Sequence, residues 1–90
     1  MNTTFLNGFY QGVLESAPAT LSAEKTADLA ATAVIQHLRH ENIDSKSIHD
    51  FLINDLHLDV HLVASLLNLN HDQLESHQAE LIKFGYQIAK

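Results

Sequence analysis

No cysteine occurs in the chain, so a disulfide framework, a thiolate metal centre and a cysteine nucleophile are all excluded. Glycine appears three times and never as a phosphate-cradling loop, and no serine stands in the G-x-S-x-G setting of a hydrolase elbow. The histidines include no H-E-x-x-H pair. Long apolar runs are missing as well: the longest, Leu29 to Ile35, is interrupted by Thr32 and falls far short of the roughly 20 residues that span a bilayer. The first residues, MNTTFLNGFYQG, have neither a basic start nor an extended apolar stretch, which predicts a cytoplasmic chain without a secretory signal. Positive charge is scarce. Five Lys and Arg against eleven Asp and Glu leave a formal charge of −6, which opposes phosphate backbones and anionic membranes and favours a partner with a basic surface.

What the chain does have is helical patterning. Hydrophobic residues make up 46% of its 90 positions, enough to bury the core of the single domain, residues 1–90, that its length predicts. The expected fold class is all-α, a compact bundle of about five helices near residues 3–16, 22–41, 45–57, 60–68 and 71–89. In the first, Phe5, Leu6, Phe9, Tyr10, Val13 and Leu14 recur at helical spacing, and Asn2, Thr3 or Thr4 can cap it. Gly8 and Gly12 each cost about 1 kcal/mol against alanine, and their spacing of four predicts close approach of another backbone on one face.

The second helix follows Pro18 and starts at Thr20 or Ser22, with Glu24 and Asp28 early and Arg39 and His40 late, as the helix dipole favours. Its stripe of Ala27, Ala30, Ala31, Val34, Ile35 and Leu38 is small enough to meet the glycine face of the first helix, which makes it the expected centre of packing. Ile48, Phe51, Leu52, Ile53 and Leu56 form a third, largely buried helix. In the last, Leu74, His77, Leu81, Phe84 and Ile88 alternate spacings of three and four, Ile82 and Tyr86 widen the apolar face, and Gly85 thins the helix near its end.

Three helix starts share one local pattern: an apolar residue, a capping residue, and a second apolar residue four positions after the cap. Ile43, Asp44 and Ile48 have it; so do Leu58, Asp59 and Val63, and so do Leu69, Asn70 and Leu74. Gln73 adds a capping box to the third, and Asn68 before it is expected in the left-handed conformation that ends a helix. Val63-Ala64-Ser65-Leu66-Leu67-Asn68-Leu69-Asn70, followed by Leu74 and Leu81, resembles the helix-turn-helix of many bacterial transcriptional regulators. The resemblance covers about a quarter of the chain and makes the fourth and fifth helices a helix-turn-helix-like corner. It implies a DNA-reading helix using Asn70, His71, Gln73, Ser76 and Lys83, with Gln73 placed to read adenine. The charges of that helix oppose it: Asp72, Glu75 and Glu80 are present and no cation precedes Lys83, with Arg39 and Lys46 the nearest supply on other elements.

Metal binding through histidine is a further alternative. His37, His40 and Glu41 can share a helix face, and His57, His61, Asp55 and Asp59 are close in sequence, although a cap at Asp59 would separate the last set onto different elements; no metal ligand is assigned. No polar convergence suggests a cofactor, and none is expected. His77 interrupts an apolar seam and is expected to be partly buried and hydrogen-bonded. Together these readings predict a small acidic non-enzymatic protein-interaction module, an adaptor, inhibitor or regulatory subunit, with Phe5, Phe9, Tyr10, Asp72, Glu75, His77 and Glu80 as its contact residues. The glycine-bearing first helix, or the last one, would serve a homodimer; a DNA-binding regulator is the alternative.

Overall fold

The computed structural model describes residues 2–88, with side chains to residue 85, so the expected contributions of the Tyr86 and Ile88 side chains lie outside the described residues. Five α-helices follow one another: α1 (Thr3–Ser16), α2 (Ala23–His40), α3 (Ser45–Asp50), α4 (Val60–Leu67) and α5 (His71–Ile88). A π-helical turn, Phe51–Asp55, extends α3. Each start is specified by a side chain that accepts an otherwise orphaned backbone N–H: Asn2 from Phe5, Ser22 from Lys25, Asp44 from Ser47 and Asp59 from Leu62. At α5 the box closes both ways, Gln73 N–H donating to Asn70 Oδ1 at 2.8 Å and Asn70 N–H donating to Gln73 Oε1 at 2.9 Å. At Asp44 the Ser47 hydroxyl and the Ser47 backbone N–H hold the carboxyl below its ordinary range, so its share of stability is present at neutral pH and is lost on acidification.

Helix α2 is the element that every other α-helix touches. Leu29, Ala30, Ala31, Thr32, Val34, Ile35 and Leu38 are all buried along it, a wider band than one amphipathic stripe, and Ala27 is only half-buried. The band is wide because α2 is covered on more than one side. Phe5 and Phe9 of α1 lie against His37 near its C-terminal end, while α5 begins beside Arg39 and passes Asp28 at His77, so both helices run opposite in sense to α2. Thr32 is tolerated in this apolar band because its hydroxyl donates to the Asp28 carbonyl at 2.8 Å.

The glycines take the reverse of their expected roles. Gly8 and Gly12 are exposed, and a Cβ at either would meet nothing within 4 Å, so α1 packs on α2 through Leu6, Tyr10 and its flanking residues and not through a glycine face. The crowded glycine is Gly85. A Cβ there would lie 2.7 Å from Pro18 Cβ, because the link between α1 and α2 folds across the end of α5 and Thr20 Oγ1 donates to the Gly85 carbonyl. Leu21, Leu29 and Leu81 form a small second cluster under this crossing. The widened face expected on α5 is also corrected: Leu74 and Leu81 are buried, but Ile82 and Phe84 are exposed, and Phe84 is covered from outside by Lys25 Nζ at 5.2 Å.

The helix ends differ from one another in an informative way. Ile43 N–H donates to Leu38 O and Asn42 N–H to Arg39 O, with Asn42 at φ 62°, which is a Schellman end with its apolar residue, Ile43, packed back on the core. His57, at φ 57°, ends the π-turn in a wider version, with Leu58 N–H reaching Leu52 O. Asn68, expected to do the same, stays right-handed at φ −77°, and Leu69 N–H closes a tighter turn onto Leu66 O. At this corner the Arg39 guanidinium donates to Leu67 O at 3.0 Å and to Leu69 O at 2.7 Å, satisfying two carbonyls of the turn from α2.

Alanine substitution should separate the three glycines. We expect Gly8→Ala and Gly12→Ala each to raise stability by about 1 kcal/mol, since both are helical and open. Gly85→Ala should lower it by about 1–3 kcal/mol through overpacking against Pro18. Urea unfolding followed by circular dichroism reads all three, and effects of one sign at every glycine would contradict this packing.

Candidate functional site

The residues expected to make contacts fall into two groups that the fold keeps on different helices. Phe5 and Phe9 share the N-terminal half of α1, whereas Asp72, Glu75, His77 and Glu80 follow one another along α5. Tyr10 belongs to neither surface. It is buried in the main core, and burial pushes its phenol above the ordinary tyrosine value.

On α5, Leu69, Asp72, Gln73, Ser76, His77 and Glu80 line a shallow open groove of about 380 Å³. His77 is partly buried at its edge and its Nε2 lies 2.8 Å from Asp28 Oδ1, which ties the middle of α5 to α2. The residues that the helix-turn-helix resemblance nominates are largely occupied locally. Asn70 and Gln73 cap one another, so turning Gln73 outward to a base edge would break the box; His71 Nε2 lies 3.1 Å from Glu75 Oε1. Ser76 and Lys83 are exposed. Arg39 is committed to the corner carbonyls, and Lys46 pairs with Asp50 at 3.4 Å on α3. Helices α4 and α5 pack on α2 more than on each other, so the corner is held from behind.

His71, Asp72 and Glu75 form the one group of three or more His, Asp or Glu side chains, among the described residues, whose ligand atoms come within 4.8 Å of one another, and all three are exposed. Neither histidine set read from the sequence assembles in this way: His57 lies in the left-handed turn and His61 in the first turn of α4, while His37 and Glu41 approach to 3.9 Å without His40.

The other surface is a slot between the start of α1 and the end of α2. Its floor is Leu6, Leu38 and Ile43, its walls are the rings of Phe5 and His37, and Asn2 and Glu41 stand at its rim around a volume of about 310 Å³. The rings of Phe5 and Phe9 both have their centroids 5.5 Å from that of His37, and 6.2 Å from each other. Phe9 is partly covered by this packing, but Phe5 remains 52% exposed. Asn2 is fixed at the rim by its capping bond to Phe5 N–H at 3.0 Å, and Glu41 is carried one residue beyond α2, immediately before the left-handed Asn42. The periodicity of α1 marks its aromatic residues; it does not mark His37, Glu41 or Ile43, which reach the slot because α1 lies along α2 and the Schellman turn folds Ile43 back.

No protein-family model, no curated protein and no solved structure matches the chain. Among the described residues, no helix is long and apolar enough to cross a membrane.

Burial of Tyr10 has a measurable consequence. Its folded-state value is raised, so the unfolded chain loses the phenolic proton first and its stabilising share, full below about pH 10, is lost as pH rises through the folded value. In urea unfolding between neutral and strongly alkaline pH, Tyr10→Phe should flatten part of the alkaline loss seen in the wild type. Identical alkaline slopes would contradict the burial of this phenol.

Proposed function

We propose that the protein is a small, acidic, non-enzymatic interaction module, an adaptor, inhibitor or regulatory subunit, and that it binds another protein through the aromatic end of α1 and the adjoining end of α2. The observation that carries this reading is Phe5. A phenylalanine 52% exposed contributes little to its own core, yet it is held in place by Phe9 and His37 beside an apolar-floored slot. A rigid exposed aromatic beside a depression, with polar groups at the rim, is the arrangement that supplies anchoring energy in protein interfaces.

Charge supports a protein partner over DNA. The formal charge of −6 repels phosphate, and the arginine nearest the helix-turn-helix-like corner is spent on backbone carbonyls. The exposed start of α5 carries Asp72 and Glu75.

The test is affinity capture from the source cells with wild-type and Phe5→Ala baits, quantified by mass spectrometry and run beside a titration of mixed-sequence duplex at low salt. The expected result is a partner retained by the wild type and depleted about tenfold or more on the variant, with no measurable duplex binding. Equal capture by both baits, or micromolar salt-sensitive duplex binding, would overturn the reading.

A further inference from the structure

We infer that the slot between α1 and α2 takes a lysine or arginine side chain from a basic, amphipathic segment of the partner, a step that rests on the interaction reading above and names its chemistry. The floor of Leu6, Leu38 and Ile43 suits the methylene stem of such a side chain, and the exposed ring of Phe5 offers a face to its cationic head. At the rim, Glu41 is the one carboxylate among the described lining residues, its side chain 59% exposed, and none of those residues is a lysine or arginine.

Other local charges leave that carboxylate in control. The negative end of the α2 dipole and the positive end of the α1 dipole meet here and offset one another, and both ends are already capped, α1 by Asn2 and α2 by the Schellman bonds at Asn42 and Ile43. Arg39 is two positions from His37, about 200° around the helix, and is held at the α4–α5 corner. Among the described residues that line the slot, His37 is the other titratable group, its ring nitrogen 3.9 Å from Glu41. An isolated apolar ligand would leave Glu41 unanswered, whereas an isolated ion would leave the floor uncovered. A stem with a cationic head satisfies both.

The competing acidic surface is the α5 groove, where Asp72 and Glu80 also invite cations. Its one ring is the imidazole of His77, which is engaged with Asp28, and its carboxylates line an open face with Leu69 as its only apolar lining residue. The two surfaces are on different helices, so a residue-resolved titration distinguishes them directly.

The experiment is a proton–nitrogen correlation NMR titration of the full chain with a short capped lysine–leucine peptide, alongside a matched peptide in which norleucine replaces lysine. Saturable shifts are expected at Phe5, Leu6, Leu38 and Glu41, with affinity about tenfold weaker for Phe5→Ala, for Glu41→Lys and for the norleucine peptide. Both substituted positions are exposed, and unchanged circular dichroism checks that the variants fold. Shifts confined to Asp72, Glu75 and Glu80, or equal affinity for the lysine and norleucine peptides, would overturn the inference. A peptide that leaves the slot untouched also overturns it, even where Phe5→Ala abolishes partner capture, and the interaction reading then stands alone. Capture indifferent to Phe5→Ala removes the reading and the inference that rests on it.

Discussion

Arg39 reaches from the last turn of α2 into the corner between α4 and α5 and donates to the carbonyls of Leu67 and Leu69. That one guanidinium satisfies backbone acceptors where α4 stops and ties the start of α5 to the end of α2. From that anchored start α5 runs back along α2, meeting Asp28 at His77 and the α1–α2 link at Gly85. A charge-assisted fork onto two carbonyls is geometrically demanding, which is why lysine is a poor substitute at such a site.

The same interaction separates form from function at the corner. Two helices joined by a capped turn resemble a DNA-reading motif by spacing, and the spacing is explained here by buried Val63, Leu66 and Leu74 and by the Asn70–Gln73 box. The cation that could have faced a phosphate instead faces inward. With Asp72 and Glu75 left outside, the surface of this corner is acidic and its interior is architectural. The aromatic slot is different in kind, because Phe5 is exposed in spite of its chemistry and the core is closed without it.

Much of the fold was legible because it is written locally. Asn2, Ser22, Asp44, Asp59 and Asn70 each specify a helix start within three residues, so cap residues and apolar spacing set those boundaries without reference to the rest of the chain. The errors concern partners distant in sequence. Gly8 and Gly12 look like a packing face until α1 is seen to turn it outward, and Gly85 looks incidental until Pro18 is seen against it. Asn42 and His57 each precede an apolar residue and an aspartate cap, which is the signal by which their left-handed turns could have been read; Asn68 precedes Leu69 and an asparagine cap, Asn70, and stays right-handed at a corner that Arg39 reaches from 28 and 30 residues away. Aromatic density marks Phe5 and Phe9 in the sequence, and the fold sets both beside His37 at the slot. His37 and Glu41 were noticed only as metal candidates, because sequence separation hid their place at the slot.

Equilibrium urea unfolding of Arg39→Met measures the corner bond most directly. Methionine keeps much of the aliphatic stem and removes every donor, leaving the Leu67 and Leu69 carbonyls without the guanidinium. The predicted result is a loss of about 2 kcal/mol, with Arg39→Lys falling between the variant and the wild type. An unchanged unfolding midpoint and slope for Arg39→Met would contradict the claim that this guanidinium holds the corner to α2.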